Sequence, residues 1–386
     1  MKIMIINSLY HPYKFGGAEV SVQLLAESLA EKGHLVRIIT LNDKDEIIRD
    51  SLNGVDIVSL PLRNVYWPFS LESHNFIKKI MWHLKDSYNL KMMAMVDTEI
   101  KNYNPDIIHT NNLAGFSAGV WNVINRRKYP LIHTIRDYYL FHPNSTLFKN
   151  GSNINPKTLS VKIFSLLKKR ISQKIDVVVG ISKFISSFHY SNGYSREAKF
   201  YHVYNPIDKI IIPKDKRNKI LTIGFVGRLT SEKGFDVFLD YVEKYQGVMR
   251  FVVAGKAAPS IESDELLKRA LALKVNILGY VPIDQFLKQV DALLLPTKWN
   301  EPFGRVVAEA ALSKTPIFTN LTGGVKEISE LFPWILPLEQ FGEPKVNSLL
   351  DELLIEKIYD NPFDKRKHAD NYLELYRDLI SSYKTR

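Results

Sequence analysis

The segment Val226-Gly227-Arg228-Leu229-Thr230-Ser231-Glu232-Lys233-Gly234 puts a guanidinium and an ammonium on one loop. A rigid fork of donors beside a flexible point charge makes a diphosphate clamp. A solvated basic loop would carry the same residues. A second segment runs Pro296-Thr297-Lys298-Trp299-Asn300-Glu301-Pro302-Phe303-Gly304-Arg305-Val306-Val307-Ala308-Glu309-Ala310. Gly304 leaves the backbone open at a helix start, where free N–H groups can hold a phosphate or sugar hydroxyls. Glu309 interrupts the apolar run Val306, Val307, Ala310, Ala311, Leu312. A carboxylate there is costly without a partner, and a ribose diol is one such partner. A third segment, Phe15-Gly16-Gly17-Ala18-Glu19, opens a helix after the first strand. Its two glycines let a ligand approach the backbone, and the helix start suits a phosphate. It is neither G-x-G-x-x-G nor a P-loop, and a tight turn would use the same glycines.

These loops need a scaffold that delivers them to strand ends. Short β-branched runs at 1–7, 36–40, 56–60, 106–110, 130–135, 176–182 and 199–204 alternate with helical patterns. The helix at 18–32 repeats Val22, Leu25 and Leu29 on one face and stops at Gly33, and a longer helical region covers 71–102. The rhythm pauses at Asn205-Pro206-Ile207-Asp208 and the polar stretch 213–219, which reads as a linker. It restarts with strands at 220–227, 250–255, 275–279, 292–296 and 316–320, and helices at 235–245, 264–273, 283–290 and 306–313. This is the βαβ pattern of two Rossmann-like, doubly wound parallel sheets. An amphipathic helix is expected over 364–383. The polar stretch 138–160 is a long loop of the kind that carries function or disorder.

Composition narrows the chemistry. The chain has 386 residues, 45% hydrophobic and 24% charged, which is globular. It contains no cysteine, so disulfides, thiolate metal sites and a cysteine nucleophile are excluded. No run reaches the roughly 20 apolar residues of a membrane span, and the first residues lack a signal-peptide pattern. A cytoplasmic protein is expected. Net charge is +11 and is uneven. Residues 1–205 carry 26 Lys+Arg and 16 Asp+Glu, whereas 206–386 carry 26 and 25. The basic half suits an anionic partner, or is simply a solvated basic surface.

Taken in order, Gly16-Gly17-Ala18-Glu19, Asp106-Ile107-Ile108-His109, Asn205-Pro206-Ile207-Asp208, Gly227-Arg228…Lys233-Gly234, Glu301-x7-Glu309 and Gly323-Gly324 with Glu327 resemble the family 4 retaining glycosyltransferases of the GT-B fold. The resemblance spans essentially the whole chain. It implies an α/β protein with two Rossmann-like domains facing across a cleft. The expected acceptor domain is 1–205 and the donor domain 206–363, with a helix at 364–386 returning to the first. It implies a nucleotide-diphosphate-sugar donor, with Arg228 and Lys233 on the diphosphate, Glu309 on the ribose and Glu301 on the sugar. Backbone at Phe303, Gly304 and Arg305, the base-side segment with Tyr280 and Val281, and Gly16, Gly17 and Gly227 complete the expected donor site. The acceptor is expected at His109, Asn111, Arg136 and Asp137. Arg228, Lys233, Glu301 and Arg136 form the expected catalytic set.

One residue departs from the family. In Pro130-Leu131-Ile132-His133-Thr134-Ile135-Arg136-Asp137, Arg136 stands where the family has a histidine. Arginine stays protonated and cannot act as a base at neutral pH. It can still bind an acceptor phosphate or the donor sugar. His133 and His109 lie nearby in sequence, and His133 reads as a core histidine. Clustered cations are expected to stabilise the leaving diphosphate, so no metal cofactor is expected. Asp43-Lys44-Asp45 reads as charged surface. Lys78-Lys79 and Lys168-Lys169-Arg170 lie beside Ile80, Trp82, Phe164 and Leu167. That pattern suits peripheral contact with an anionic membrane holding a lipid-linked glycan, or ordinary helices covering a sheet. The expected product is a cell-surface polysaccharide or lipid-linked glycan. A sugar-nucleotide epimerase and a non-catalytic glycan-binding subunit stay open. Nucleic acid is not an expected partner, because no reading module is present.

Overall fold

The structure is a computed structural model and describes residues 1–13, 16–70, 74–208, 220–258, 260–353 and 360–385. Phe15, the linker stretch 213–219 and the start of the helical region at 71 lie outside the described residues. In chain order the elements are β1 (Lys2–Ile6), α1 (Gly17–Glu31), β2 (Leu35–Asn42), β3 (Ile48–Leu52), β4 (Val55–Pro61), α2 (Phe76–Ser87), α3 (Leu90–Tyr103), β5 (Ile107–Thr110), α4 (Val120–Arg126) and β6 (Leu131–Ile135). A small hairpin, β7 (Phe148–Lys149) and β8 (Ser152–Asn153), precedes α5 (Leu159–Ser172), β9 (Val177–Gly180), α6 (Lys183–Ser191) and β10 (Lys199–His202). Then come β11 (Thr222–Val226), α7 (Phe235–Tyr245), β12 (Arg250–Ala254), α8 (Ile261–Ala272), β13 (Asn276–Ile277), α9 (Ile283–Leu287), β14 (Ala292–Leu295) and α10 (Arg305–Leu312). The last elements are β15 (Ile317–Thr319), α11 (Gly324–Ser329), β16 (Ile335–Pro337), α12 (Glu343–Leu353) and α13 (Lys365–Lys384).

These elements form two units. The first comprises 1–147, 155–206 and 363–386, and the second 148–154 and 207–362. The first holds an eight-stranded sheet in the order β10-β9-β6-β5-β1-β2-β4-β3. Its strands run parallel except β3, which pairs antiparallel with β4. Ile3, Met4, Ile5 and Ile6 of the central β1 are fully buried, which explains their unbroken apolar run. Val22, Leu25 and Leu29 of α1 pack on one sheet face together with Ala369, Tyr372, Tyr376 and Leu379 of α13. Asp364 caps α13 by accepting from the Arg366 and Lys367 amides, both at 2.9 Å.

Three local features differ from the sequence expectation. The helical region up to 102 is two helices, because Asn89 starts a new one by accepting from the Met92 amide at 3.2 Å. The edge strand β3 is mostly polar and carried no strand signal. The stretch 138–160 contains the β7–β8 hairpin, which groups with the second unit. There Asn153 donates to the Lys298 carbonyl at 3.0 Å and accepts from the Asn300 amide at 2.9 Å.

The second unit is a six-stranded parallel sheet in the order β13-β12-β11-β14-β15-β16. Strand order reverses between β11 and β14, and ligands of such sheets bind beyond the strand carboxyl ends at this switch point. Phe235, Phe238, Leu239 and Val242 of α7 recur on one helical face and are buried. Gly234, just before α7, adopts φ 76°, and a Cβ there would lie 1.8 Å from the Pro296 carbonyl oxygen. The loop carrying Lys233 is therefore pressed against the end of β14.

Candidate active site

In the second unit a crevice opens at that switch point, lined by Gly227, Lys233, Thr297, Glu301, Gly304 and Thr319. Gly227, Thr297 and Thr319 sit at strand ends and Gly304 at a helix start, whereas Lys233 and Glu301 lie on the connecting loops. Lys233 donates to both carboxylate oxygens of Glu301, at 3.0 and 2.8 Å. Its ammonium also lies 4.9 Å from the Trp299 ring centroid, a cation–π contact. Arg228 is exposed and pairs with Glu232. Arg305 donates to Glu309 at 2.8 Å, one helical turn apart. Burial raises the Glu309 carboxyl above the usual range, and Arg305 opposes that shift. Each of these cations is thus held by a carboxylate. A diphosphate entering the crevice would compete with those carboxylates for the same donors.

Glycines shape the rim. Gly304 takes φ 94° immediately before α10, and a Cβ there would lie 2.8 Å from Val325 Cγ2. The Gly324 amide donates to the Glu301 carbonyl at 2.7 Å, fixing the loop that presents Glu301. Phe303, expected at the donor site, is buried. Tyr280 is exposed and Val281 is half-buried beyond β13. Trp299, whose ring backs Lys233, had no sequence-assigned role. Its place directly before Asn300-Glu301 is the signal that could have found it.

In the first unit the loops after β1, β5 and β6 converge. Arg136 is buried and donates through Nε to Asn111 at 2.9 Å and through Nη1 to Asn205 at 2.8 Å. Asp137 accepts from the Tyr139 amide at 2.7 Å, and desolvation lifts its carboxyl to about 6. A small pocket touches Asn111, Asn112, Arg136, Asp137 and Tyr139. Gly16 is extended and exposed, with φ −160°, so any residue could adopt its backbone. Its amide is taken by the Glu19 carboxylate at 2.8 Å, and Gly17 begins α1.

His109 is a correction. It is fully buried beneath α13, with Nδ1 bonded to the Tyr376 hydroxyl and Nε2 to the Thr134 hydroxyl, both at 2.7 Å. It ties the last helix to the sheet and offers no nitrogen to an acceptor. Burial holds His133 near 3 and His109 well below the normal imidazole range, and Arg136 adds to both shifts. Neither imidazole carries charge at neutral pH, whereas Arg136 does. Asp43 accepts from the Tyr13 hydroxyl and Asp45 pairs with Arg63, both at 2.8 Å. Among the described residues no group of three His, Asp or Glu side chains is arranged to hold a metal ion.

The sequence pattern described as Glycosyltransferase Family 4 matches residues 15–209, and that described as Glycosyl transferases group 1 matches 206–332. The chain belongs to this glycosyltransferase family. A Klebsiella pneumoniae relative, an uncharacterized 42.6 kDa protein in the cps region, is 41% identical, over 98% of this chain and all of its own length. Sucrose-phosphate synthase from Thermosynechococcus elongatus superposes with a TM-score of 0.70 at 16% identity, covering 99% of each chain. HepE from Anabaena, solved in complex with UDP-glucose, superposes with a TM-score of 0.62 at 16% identity, covering all of each chain. The fold is therefore GT-B. In this glycosyltransferase the crevice with Lys233 and Glu301 lies in the group 1 segment. Arg136 and its asparagines lie in the family 4 segment.

Proposed function

We propose that this glycosyltransferase moves a sugar, with retention of configuration, from a nucleotide-diphosphate donor to a glycan acceptor in cell-surface polysaccharide assembly. The carrying observation is the Lys233–Glu301 pair at the switch-point crevice, with Arg228 on the loop before Lys233 and the Arg305–Glu309 pair on α10. The Klebsiella relative's place in a cps region and the UDP-glucose bound to HepE support the same reading.

In the reaction, the bond from the anomeric carbon to the diphosphate oxygen breaks. An acceptor hydroxyl oxygen bonds to that carbon and its proton is released. The sugar becomes oxocarbenium-like as negative charge grows on the leaving group. Arg228 and Lys233 would hold that charge, so catalysis is proposed to need no metal. Glu301, released from Lys233, would accept hydroxyls of the donor sugar, and Glu309 the ribose diol. Family membership, not this geometry, supports retention. The acceptor is proposed to be lipid-linked and reached from the inner face of a membrane. Among the described residues no helix is long and apolar enough to cross one.

Calorimetry with UDP, GDP, dTDP and ADP, each with and without EDTA, tests the donor site. One nucleotide should bind clearly tighter than the rest, unaffected by EDTA, and Glu309→Ala should weaken it. Unchanged affinity in a folded Glu309→Ala protein would remove the ribose assignment. Affinity for none of the four would remove the donor reading.

Arg136→Ala should lower transfer to acceptor more than it lowers nucleotide affinity. Initial rates compared with nucleotide Kd will decide this. The opposite pattern would take Arg136 away from the acceptor and leave it a structural cation bridging Asn111 and Asn205.

A further inference from the structure

Helices α2 and α5 pack against each other with most of their large apolar side chains turned outward. On α2, Phe76, Ile77, Ile80, Met81 and Leu84 recur on one face and are 77%, 67%, 39%, 52% and 65% exposed. On α5, Leu159, Ile163 and Leu166 are 73%, 65% and 72% exposed. The inward faces carry Trp82, Val161 and Ile171 together with one charge from each helix. Asp86 of α2 and Lys168 of α5 are both buried. Asp86 accepts from the Tyr139 hydroxyl at 2.7 Å, and Lys168 donates to the Tyr139 carbonyl at 2.9 Å. This inner polar network holds both helices in the orientation that leaves their apolar sides in water. Exposed apolar patches of this kind mark interaction sites.

Charge selects the occupant. The two helices carry Lys78, Lys79, Lys85, Lys162, Lys169 and Arg170 at exposed or half-exposed positions. Their single acidic residue is Asp86, which is buried. A second copy of the chain would set two cationic faces against each other. An anionic bilayer takes up the apolar side chains and pairs the cations with its headgroups. We infer that the α2–α5 face is a membrane-docking surface for anionic phospholipid. It rests on the proposed function only in that a lipid-linked acceptor gives the docking its purpose. Lys168 and Trp82, grouped with the basic surface on sequence grounds, both point inward and take no part.

Co-sedimentation of the full chain with vesicles tests this. Binding to phosphatidylglycerol–phosphatidylethanolamine vesicles should exceed binding to phosphatidylcholine vesicles at least tenfold. Ile77→Glu with Leu166→Glu should reduce the anionic binding at least tenfold, with unchanged circular dichroism. Lys78→Gln with Lys79→Gln, which spares every apolar contact, should cost about fivefold per charge. Equal binding by wild type and both variants would overturn the inference, as would no binding to anionic vesicles. A wild-type dimer in sedimentation velocity that Ile77→Glu with Leu166→Glu dissolves would also overturn it, giving the face to a second copy. Calorimetry with UDP, GDP, dTDP and ADP, run without vesicles, keeps the two readings separate. Nucleotide binding without vesicle binding sinks the surface alone, and the reverse sinks the donor site alone.

Discussion

Lys233→Ala is expected to weaken nucleoside diphosphate binding by about 10- to 150-fold, the loss of a charged hydrogen bond worth roughly 1.5–3 kcal/mol. In the crevice the ammonium sits on Glu301, at 3.0 and 2.8 Å from its two oxygens. The substitution therefore does two things. It removes the donor that would pass to the phosphate, and it leaves the Glu301 carboxylate without its cation where the proposed anion would enter. Glu301→Gln separates these effects, because it keeps Lys233 and removes the competing charge. Calorimetry should show nucleotide affinity kept or raised in Glu301→Gln while transfer falls. If Lys233→Ala binds nucleotide as well as wild type, the pair is only a structural tie between loops. Fold integrity is not in doubt at this position, since both side chains are partly solvated.

Lys168→Met is expected to destabilise the protein by about 3–5 kcal/mol at pH 8, the usual cost of breaking a buried charge pair by removing one partner. Lys168 is buried with its ammonium 3.5 Å from the Tyr139 ring centroid, and it faces Asp86 and Asp137. Burial pulls the ammonium down to about 8, and the two carboxylates oppose that shift. Burial raises both carboxyls, Asp137 to about 6, and Lys168 lowers them. Without the ammonium both should rise further. An acid whose folded pKa exceeds its unfolded value loses stability for the fold as pH climbs through the folded pKa. The deficit of Lys168→Met should therefore grow from pH 5 to pH 8 and shrink in acid. Urea unfolding at the two pH values measures it. An equal deficit at both would mean that Lys168 stabilises through packing alone. Adding Asp86→Asn should recover part of the loss at pH 8, because the two sites are coupled.

The residues that meet in the second unit were readable because they act within short segments. Arg228 and Lys233 lie on one loop, and Glu301, Gly304 and Glu309 on one strand–helix junction. The βαβ rhythm says which end of the sheet receives them. The missed features are those where local pattern and tertiary demand disagree. Strand β3 is polar because it is an edge, so alternation says little. The α2–α3 break depends on one capping asparagine inside a continuous helical pattern. His109 lies in a strand and looks accessible until Tyr372 and Tyr376, more than 260 positions onward, arrive over it.

The sequence by itself determined the fold class, the two repeating sheets and the identity of the side chains grouped at the switch point. These depend on periodicity and short spacings, which survive without coordinates. Only the tertiary structure decided the facing of α2 and α5. Both helices mix lysines with large apolar residues, so either face could have been inner. The choice falls to Asp86, Lys168 and Tyr139, residues distant in sequence whose buried charges and hydroxyl must find one another. Once they do, Trp82, Val161 and Ile171 turn inward with them and most of the other large apolar side chains face outward.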